Sequence, residues 1–325
     1  MKVLLAHTPE MRRNYYGDRS LNGLRAIAEV ILHEGDQPLD AAGLVNAARD
    51  ADIIVADRMT EGRGEIFSQL PHLRAFVRCA VDIRNVDVEA ASQVGVLVTR
   101  AGPGFVQAVT ELAVGFMVDL SRGVSRATVD YHAGRKPEAR MGRQLGGSKI
   151  GIIGYGSIGH YLAEVAKVLR MEVLVSDPFA TVSDNAIKQV GLDELLSASD
   201  YVVCLAVANE QTEKLIGEAA LARMQKHAVF INLSRGNLVD EAALARALLE
   251  NRIAGAAMDV GRAPDQMPTP ELAKFPNVIA TPHVGGLTPQ AIEYQSLETV
   301  RQVDAIIKGA APQGAVNAER WTRRA

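Results

Sequence analysis

The sequence predicts an α/β protein built as two doubly wound parallel-sheet domains, with the functional site in the cleft between them. Three observations carry that expectation. Short apolar, β-branched runs alternate with amphipathic stretches of helical period, the pattern of a parallel sheet covered on both faces. The alternation occurs twice, the two sets being separated by one long helical stretch and a polar connector. A chain of 325 residues is also long enough for about two domains, each with its own core.

The first set of candidate strands is "KVLLA", "DIIVA", "LRAFVRC" and "GVLVT", all within the first hundred residues. Apolar positions at helical spacing then predict one long helix over 110–136, "TELAVGFMVDLSRGVSRATVDYHAGRK". "PEARMGRQLGGSK" reads as the connector. The second set is "KIGIIG", "EVLVSD", "YVVCLAV", "HAVFINLS", "IAGAAMDV" and "NVIATP". A last helix, Pro289 to Lys308, is expected to pack back on the first domain.

Composition narrows the function classes. With 48% hydrophobic and 22% charged residues and a mean hydropathy of +0.04, the chain is ordinary for a globular protein. A net charge of -3 argues against a partner such as nucleic acid or a membrane surface. No apolar stretch reaches bilayer length, and "MKVLLAHTPEM" is too short for a signal segment and reads as a first strand. Cys79 and Cys204 sit in apolar runs without metal-site or disulfide spacing. They are expected to be reduced core residues of a cytoplasmic protein, with no metal site.

The most specific motif is "GYGSIG", with Gly154, Gly156 and Gly159 directly after an apolar strand and opening a helix. The glycines permit the tight turn, the backbone's approach to a pyrophosphate and close helix–strand packing, and the helix N-terminus offers amide donors. Ser157 and Ile158 lie in that turn. Asp177 ends the next strand, 177 − 154 = 23 residues on, where a carboxylate accepts from ribose hydroxyls and repels a 2′-phosphate. A Rossmann-like domain binding NAD rather than NADP is expected. His160 reads as a solvent-facing residue of the first helical turn.

Three later segments, "INLSRGNLVDEAAL", "GAAMDV" and "TPHVGG", follow in order. With "GYGSIG" and Asp177 they resemble the D-isomer-specific 2-hydroxyacid dehydrogenase family, and the likeness runs from "NVDVEAA" through "VTELA" to the C-terminal "VN". The resemblance implies a substrate-binding, flavodoxin-like domain over 1–100 and 290–325, an NAD-binding domain over 101–289, and a homodimer formed through the long helix. It implies that Arg235 binds the substrate carboxylate and polarises the carbonyl, a task suited to a guanidinium fork. His283 corresponds to the general acid/base, and an imidazole titrates near neutrality. Asp259 corresponds to the residue that holds the nicotinamide carboxamide, with Leu233, Ser234 and Gly286 beside it. The implied partner is a small 2-oxo or 2-hydroxy acid.

The pattern also breaks. The family reads D-V-x-x-x-E-P after that strand, its glutamate orienting the histidine, whereas "MDVGRAPDQMPTPEL" puts Pro264 or Ala263 there. Asp265 is the nearest substitute carboxylate, set against the bland reading of an exposed turn aspartate; Glu271 is more distant. The family's G-V-G-x-D-N-V-D is "AVDIRNVD", so Asp82 replaces a glycine and Arg84 an aspartate, with Val81 between backbone positions that hold the substrate carboxylate. An aspartate beside an anion site suggests a substrate with a cationic group, unless Asp82 pairs with Arg84. Phe105 stands where an asparagine is usual. Arg58, Tyr15 and Tyr16 follow strand ends and are further pocket candidates, whereas Arg12 and Arg13 read as a solvated face. Against a dehydrogenase of 2-hydroxy acids stand two alternatives: an NAD(H)-binding sensor with vestigial catalysis, and a dehydrogenase of another oxyanion.

Overall fold

A computed structural model describes residues 1–263 and 266–324. The chain divides into two units, Met1–Gly104 with Pro289–Ala325, and Phe105–Thr288.

The first unit holds a five-stranded parallel sheet of β1 (Lys2–Leu5), β2 (Glu29–Leu32), β3 (Ile53–Ala56), β4 (Ala75–Arg78) and β5 (Leu97–Arg100), in the order β2-β1-β3-β4-β5. Alternate side chains of one strand point to opposite faces. Leu4, Ile54, Phe76 and Val98 therefore join one apolar cluster, while Val3, Leu5, Ile53, Val55, Val77 and Leu97 join another. Each such fully buried aliphatic side chain contributes roughly 1.5–3 kcal/mol. The second cluster is covered by the helices Asp18–Ile27 and Pro289–Ile307, joined by a 2.7 Å hydrogen bond between Ser20 and Ser296. The C-terminal helix thus completes the first unit.

The second unit holds seven parallel strands: β6 (Lys149–Ile153), β7 (Glu172–Ser176), β8 (Ile187–Gln189), β9 (Tyr201–Cys204), β10 (Val229–Asn232), β11 (Gly255–Met258) and β12 (Val278–Ala280). Their order, β12-β11-β10-β9-β6-β7-β8, is that of a dinucleotide-binding sheet. Because every strand runs the same way, all its strand-to-helix loops emerge on one edge. Cys204 is buried in this core and Cys79 in that of the first unit; both thiols are free.

Two strands and one helix break were not foreseen. β2 and β8 lie at sheet edges, where one neighbour and partial solvent contact require no continuous apolar run; β8 buries only Ile187. The expected single long helix is two, Val106–Arg122 and Val124–His132, divided at Gly123. Gly123 takes φ +67°, and its amide closes on the Asp119 carbonyl at 2.6 Å. A left-handed glycine ends a helix this way even when the apolar period continues beyond it.

Candidate active site

At the turn after β6, Gly154 has φ +96°, and a Cβ there would fall 2.7 Å from the Ala206 amide nitrogen. A Cβ on Gly159 would meet the Gly154 carbonyl oxygen at 2.2 Å, so that glycine lets the helix Ser157–Val168 lie against the loop. Gly156 is different: a Cβ there would meet no protein atom within 4 Å. The turn therefore leaves an open approach at the helix N-terminus, beside Ser157 and Ile158, of the kind a pyrophosphate needs. His160 is exposed, with Nδ1 3.1 Å from the Tyr155 hydroxyl.

Asp177 follows β7 and is tied to this turn. Its Oδ2 accepts from the Tyr155 amide at 2.7 Å, and its Oδ1 from the amides of Phe179 at 2.8 Å and Ala180 at 3.0 Å. Partial burial opposes its charge, but the three amides prevail and hold the carboxyl below the ordinary aspartate range. A carboxylate offers about four lone-pair sites. Three are used, two on Oδ1 and one on Oδ2. Gln189 steadies the loop from β8, donating to the carbonyls of Asp177 and Ala180 at 3.1 and 2.8 Å.

Arg235, Asp259 and His283 stand on one edge because β10, β11 and β12 end in register, with Asn232 opposite Met258 and Met258 opposite Ala280. Asn232 shapes the arginine turn: its Oδ1 accepts from the Ser234 amide at 3.1 Å, and its Nδ2 donates to the Arg235 carbonyl at 2.9 Å. The Ser234 hydroxyl donates to the Ala206 carbonyl at 2.6 Å, which joins this turn to the loop after β9. Leu233 is buried beneath it and Arg235 is half-buried.

Asp259 is 3% exposed. Its Oδ1 accepts from the Thr281 hydroxyl at 2.6 Å and the Val284 amide at 2.8 Å, and its Oδ2 from the Gly285 amide at 2.7 Å. Three of its lone-pair sites go to the turn that carries His283. That histidine is half-buried at φ +55°, its amide donating to the Thr281 carbonyl at 3.0 Å. Left-handed backbone at a non-glycine residue persists where the surroundings over-determine it. Gly286 lies against Phe105, whose Cβ would be 3.2 Å from a Cβ placed there.

Asp265 and Pro264 lie outside the described residues. The loop flanking them is anchored at both ends by Glu241, which accepts from the Arg262 amide and the Thr269 hydroxyl, both at 3.0 Å. Glu271 belongs to the short helix Pro270–Ala273 and is exposed.

In the first unit, Arg58 lies in the exposed turn after β3, and Val81, Asp82 and Arg84 lie in the loop after β4. Arg84 grips Asp82 with its fork, Nε at 3.0 Å from Oδ1 and Nη2 at 2.6 Å from Oδ2. This pairing removes the basis for a cationic substrate group, because Asp82 already has a cation two residues away. Two further expectations need correction. Tyr16 is 1% exposed and its hydroxyl is 3.0 Å from that of Thr299, so it is core rather than pocket lining. Arg12 is not solvated: it donates to the carbonyls of His7, at 3.1 Å, and His33, and pairs with Glu34 at 2.9 Å.

Residues 114–285 match the family described as D-isomer specific 2-hydroxyacid dehydrogenase, NAD binding domain. The chain belongs to this family. It is 31% identical to the glyoxylate reductase of Pyrococcus furiosus over 315 residues, covering 93% of each chain. It is 30% identical to the D-3-phosphoglycerate dehydrogenase of Methanocaldococcus jannaschii over 301 residues, which are 90% of this chain but 56% of that longer protein. The D-lactate dehydrogenase of Lactobacillus jensenii, solved with NAD+, shares the fold at a TM-score of 0.84 and 23% identity, over 97% of this chain and 99% of that one. As a member of this family, the chain carries its NAD-binding domain in the second unit, which also bears the open turn at Gly156.

Sequence reasoning missed Thr281, Asn232 and Gln189, each of which fixes a loop bearing a candidate residue. Their signal is weak: each is a polar residue at or just past a strand end, a position that by itself does not reveal which loop atoms it will bond.

Proposed function

We propose that this dehydrogenase interconverts a small 2-oxo acid and an (R)-2-hydroxy acid. The observation that carries the reading is the register of β10, β11 and β12, which sets Arg235, Asp259 and His283 side by side on the carboxyl edge that also bears the dinucleotide turn. NAD(H), when bound, supplies or accepts the hydride at the substrate's carbonyl carbon. Arg235 binds the carboxylate and draws charge onto the carbonyl oxygen. His283 gives that oxygen a proton in reduction and takes one in oxidation. Asp259 holds the His283 turn, and its remaining lone-pair site is free to meet the carboxamide. Arg58, the Val81 backbone and Arg84 are the proposed substrate-binding residues of the loops after β3 and β4, and Asp265 remains the proposed carboxylate partner of His283.

The test is NADH oxidation against a panel of 2-oxo acids including glyoxylate, hydroxypyruvate, phenylpyruvate and oxaloacetate, beside His283→Ala. Turnover lost in that variant supports the reading. NADH binding with no turnover on any acid favours a sensor with vestigial catalysis, or an oxyanion substrate outside the panel.

We also propose a homodimer. Exposed apolar side chains on the paired helices, Val118, Val124, Val129 and Tyr131, support it, and sedimentation at micromolar concentration decides it. Among the described residues no helix is long and apolar enough to cross a membrane; the buried free cysteines fit a cytoplasmic setting.

A further inference from the structure

Arg78 ends β4 with 0% exposure, in a unit whose other buried positions on that strand are apolar. A guanidinium taken out of water is costly unless its donors are met. Here Nη1 and Nη2 are met by loops, not by the sheet, while the buried Nε has no hydrogen-bond partner among the described residues. Nη1 donates to the Asp57 carbonyl, in the turn after β3, and Nη2 donates to Asn85 Oδ1 at 2.7 Å, in the loop after β4. Asn85 returns the link, its Nδ2 donating to the Arg58 carbonyl at 3.1 Å.

The same two loops are zipped further along by backbone alone. The Gly62 amide donates to the Asn85 carbonyl at 3.0 Å, and the Asp87 amide to the Gly62 carbonyl at 2.8 Å. The Asp57 carboxylate folds its own turn, accepting from the amides of Met59 and Thr60 and from the Thr60 hydroxyl at 2.6, 3.1 and 2.9 Å. The cation itself is retained: burial lowers its pKa to about 10, with Asp57 and Asp82 opposing, so it stays protonated at neutral pH. Its guanidinium carbon lies 5.6 Å from the centre of the Phe76 ring, which fixes its plane.

The loops so joined carry Arg58 on one side and Val81, Asp82 and Arg84 on the other. They follow adjacent strands at the carboxyl edge of the sheet, beside the β1/β3 switch in strand order where ligands of such sheets bind. We infer that Arg78 and Asn85 are positioning residues for the acid: without touching it, they set the distance and direction between Arg58 and the Val81–Arg84 loop. The inference rests on the proposed assignment of Arg58, Val81 and Arg84 to the substrate. A cation serving only the core would bond to the strands; this one bonds to the backbone of one loop and to a side chain of the other that in turn bonds to the first.

The test compares Asn85→Ala, Asn85→Asp and Arg78→Lys with the unaltered protein. KM for the 2-oxo acid, kcat and NADH affinity are measured, together with backbone hydrogen exchange over 57–62 and 81–87. Asn85→Ala should raise KM about tenfold, the scale expected for losing a hydrogen bond to a charged group, with kcat within about threefold and NADH affinity unchanged. Asn85→Asp keeps the acceptor for Arg78 but loses the donor to Arg58; exchange should rise over 57–62 more than over 81–87. Arg78→Lys, which keeps the charge and loses the fork, should raise KM and loosen both loops. Unchanged KM and exchange in folded Asn85→Ala overturns the inference, as does a parallel loss of KM, kcat and NADH affinity. Absent turnover in the unaltered protein would count against the proposed activity, while the exchange pattern would still decide whether Arg78 and Asn85 hold the loops.

Discussion

The carboxylate of Asp259 accepts the backbone amide of Gly285 at 2.7 Å, with the Val284 amide and the Thr281 hydroxyl on its other oxygen, so a single buried side chain encloses the turn around His283. The family's usual means of orienting that histidine, a glutamate five residues after the strand's aspartate, is missing from the sequence. On the proposed acid/base role of His283, backbone restraint is expected to take on more of the task. Asp259→Ala strands two amides and a hydroxyl and frees the left-handed residue between them. A displacement of about an ångström at an acid/base costs on the order of 10²-fold, and that is the expected fall in kcat. Asp259→Asn keeps one acceptor and should fall between. Steady-state kinetics with NADH affinity measured separately checks the source of the loss: if only NADH affinity falls, Asp259 acts on the cofactor alone.

A second contact joins the Arg235 turn to the loop after β11. A Cβ on Gly236 would lie 2.1 Å from the carbonyl carbon and oxygen of Gly261, so a side chain there requires one of the two backbone segments to shift. Gly261 is itself pressed by the Met267 carbonyl oxygen, 2.4 Å from where its Cβ would stand. Gly236→Ala should cost roughly 1–3 kcal/mol, as overpacking does, and raise KM for the acid by moving Arg235. Thermal unfolding and KM together test this. Unchanged stability would mean that the two loops separate freely.

These relationships show what the sequence reveals and what it hides. Strands such as Ile53–Ala56 are legible because burial on both faces requires an unbroken apolar run, and the glycine turn is legible because its spacing is local. Arg235 and His283 were found by likeness to other chains. Tyr16 was misread because its hydroxyl's partner, Thr299, lies 283 residues away. Arg78 drew no notice within an apolar strand, since its meaning resides in Asp57 and Asn85. Asp82 and Arg84 are close in sequence, yet whether a carboxylate turns to its neighbour or to a ligand depends on loop geometry that spacing does not encode.

His7 gives the fold a pH dependence of calculable sign. Burial lowers its pKa from 6.5 to about 4, with Asp57 opposing and Arg12 and Arg78 assisting, so the folded chain holds it neutral while the unfolded chain protonates it near 6.5. The unfolded state then binds the extra proton, and stability falls as pH drops from about 6.5 to about 4, by on the order of 3 kcal/mol, with no further change from this group below. His7→Gln should flatten that slope relative to the unaltered protein. Denaturant midpoints at pH 7, 5.5 and 4.5 measure it, and equal slopes in the two proteins would show that other groups govern the acid side.

On the proposed role of Asp177 at the ribose, cofactor choice is expected to follow from its lone-pair count. With Tyr155, Phe179 and Ala180 on three sites, one site remains for a ribose hydroxyl, and the charge itself repels a 2′-phosphate. Asp177→Asn removes the charge but turns an amide toward one of the three donors, so the glycine turn loosens as the repulsion disappears. NADH should bind about tenfold more weakly, the scale of a charge-assisted hydrogen bond, while NADPH binding improves or holds. The NADH-to-NADPH preference then narrows by more than the loss in NADH binding alone. Fluorescence titration of both cofactors reads it directly: parallel weakening of the two would show that Asp177 acts here by holding the Tyr155 turn, and that discrimination against the phosphate lies with other residues.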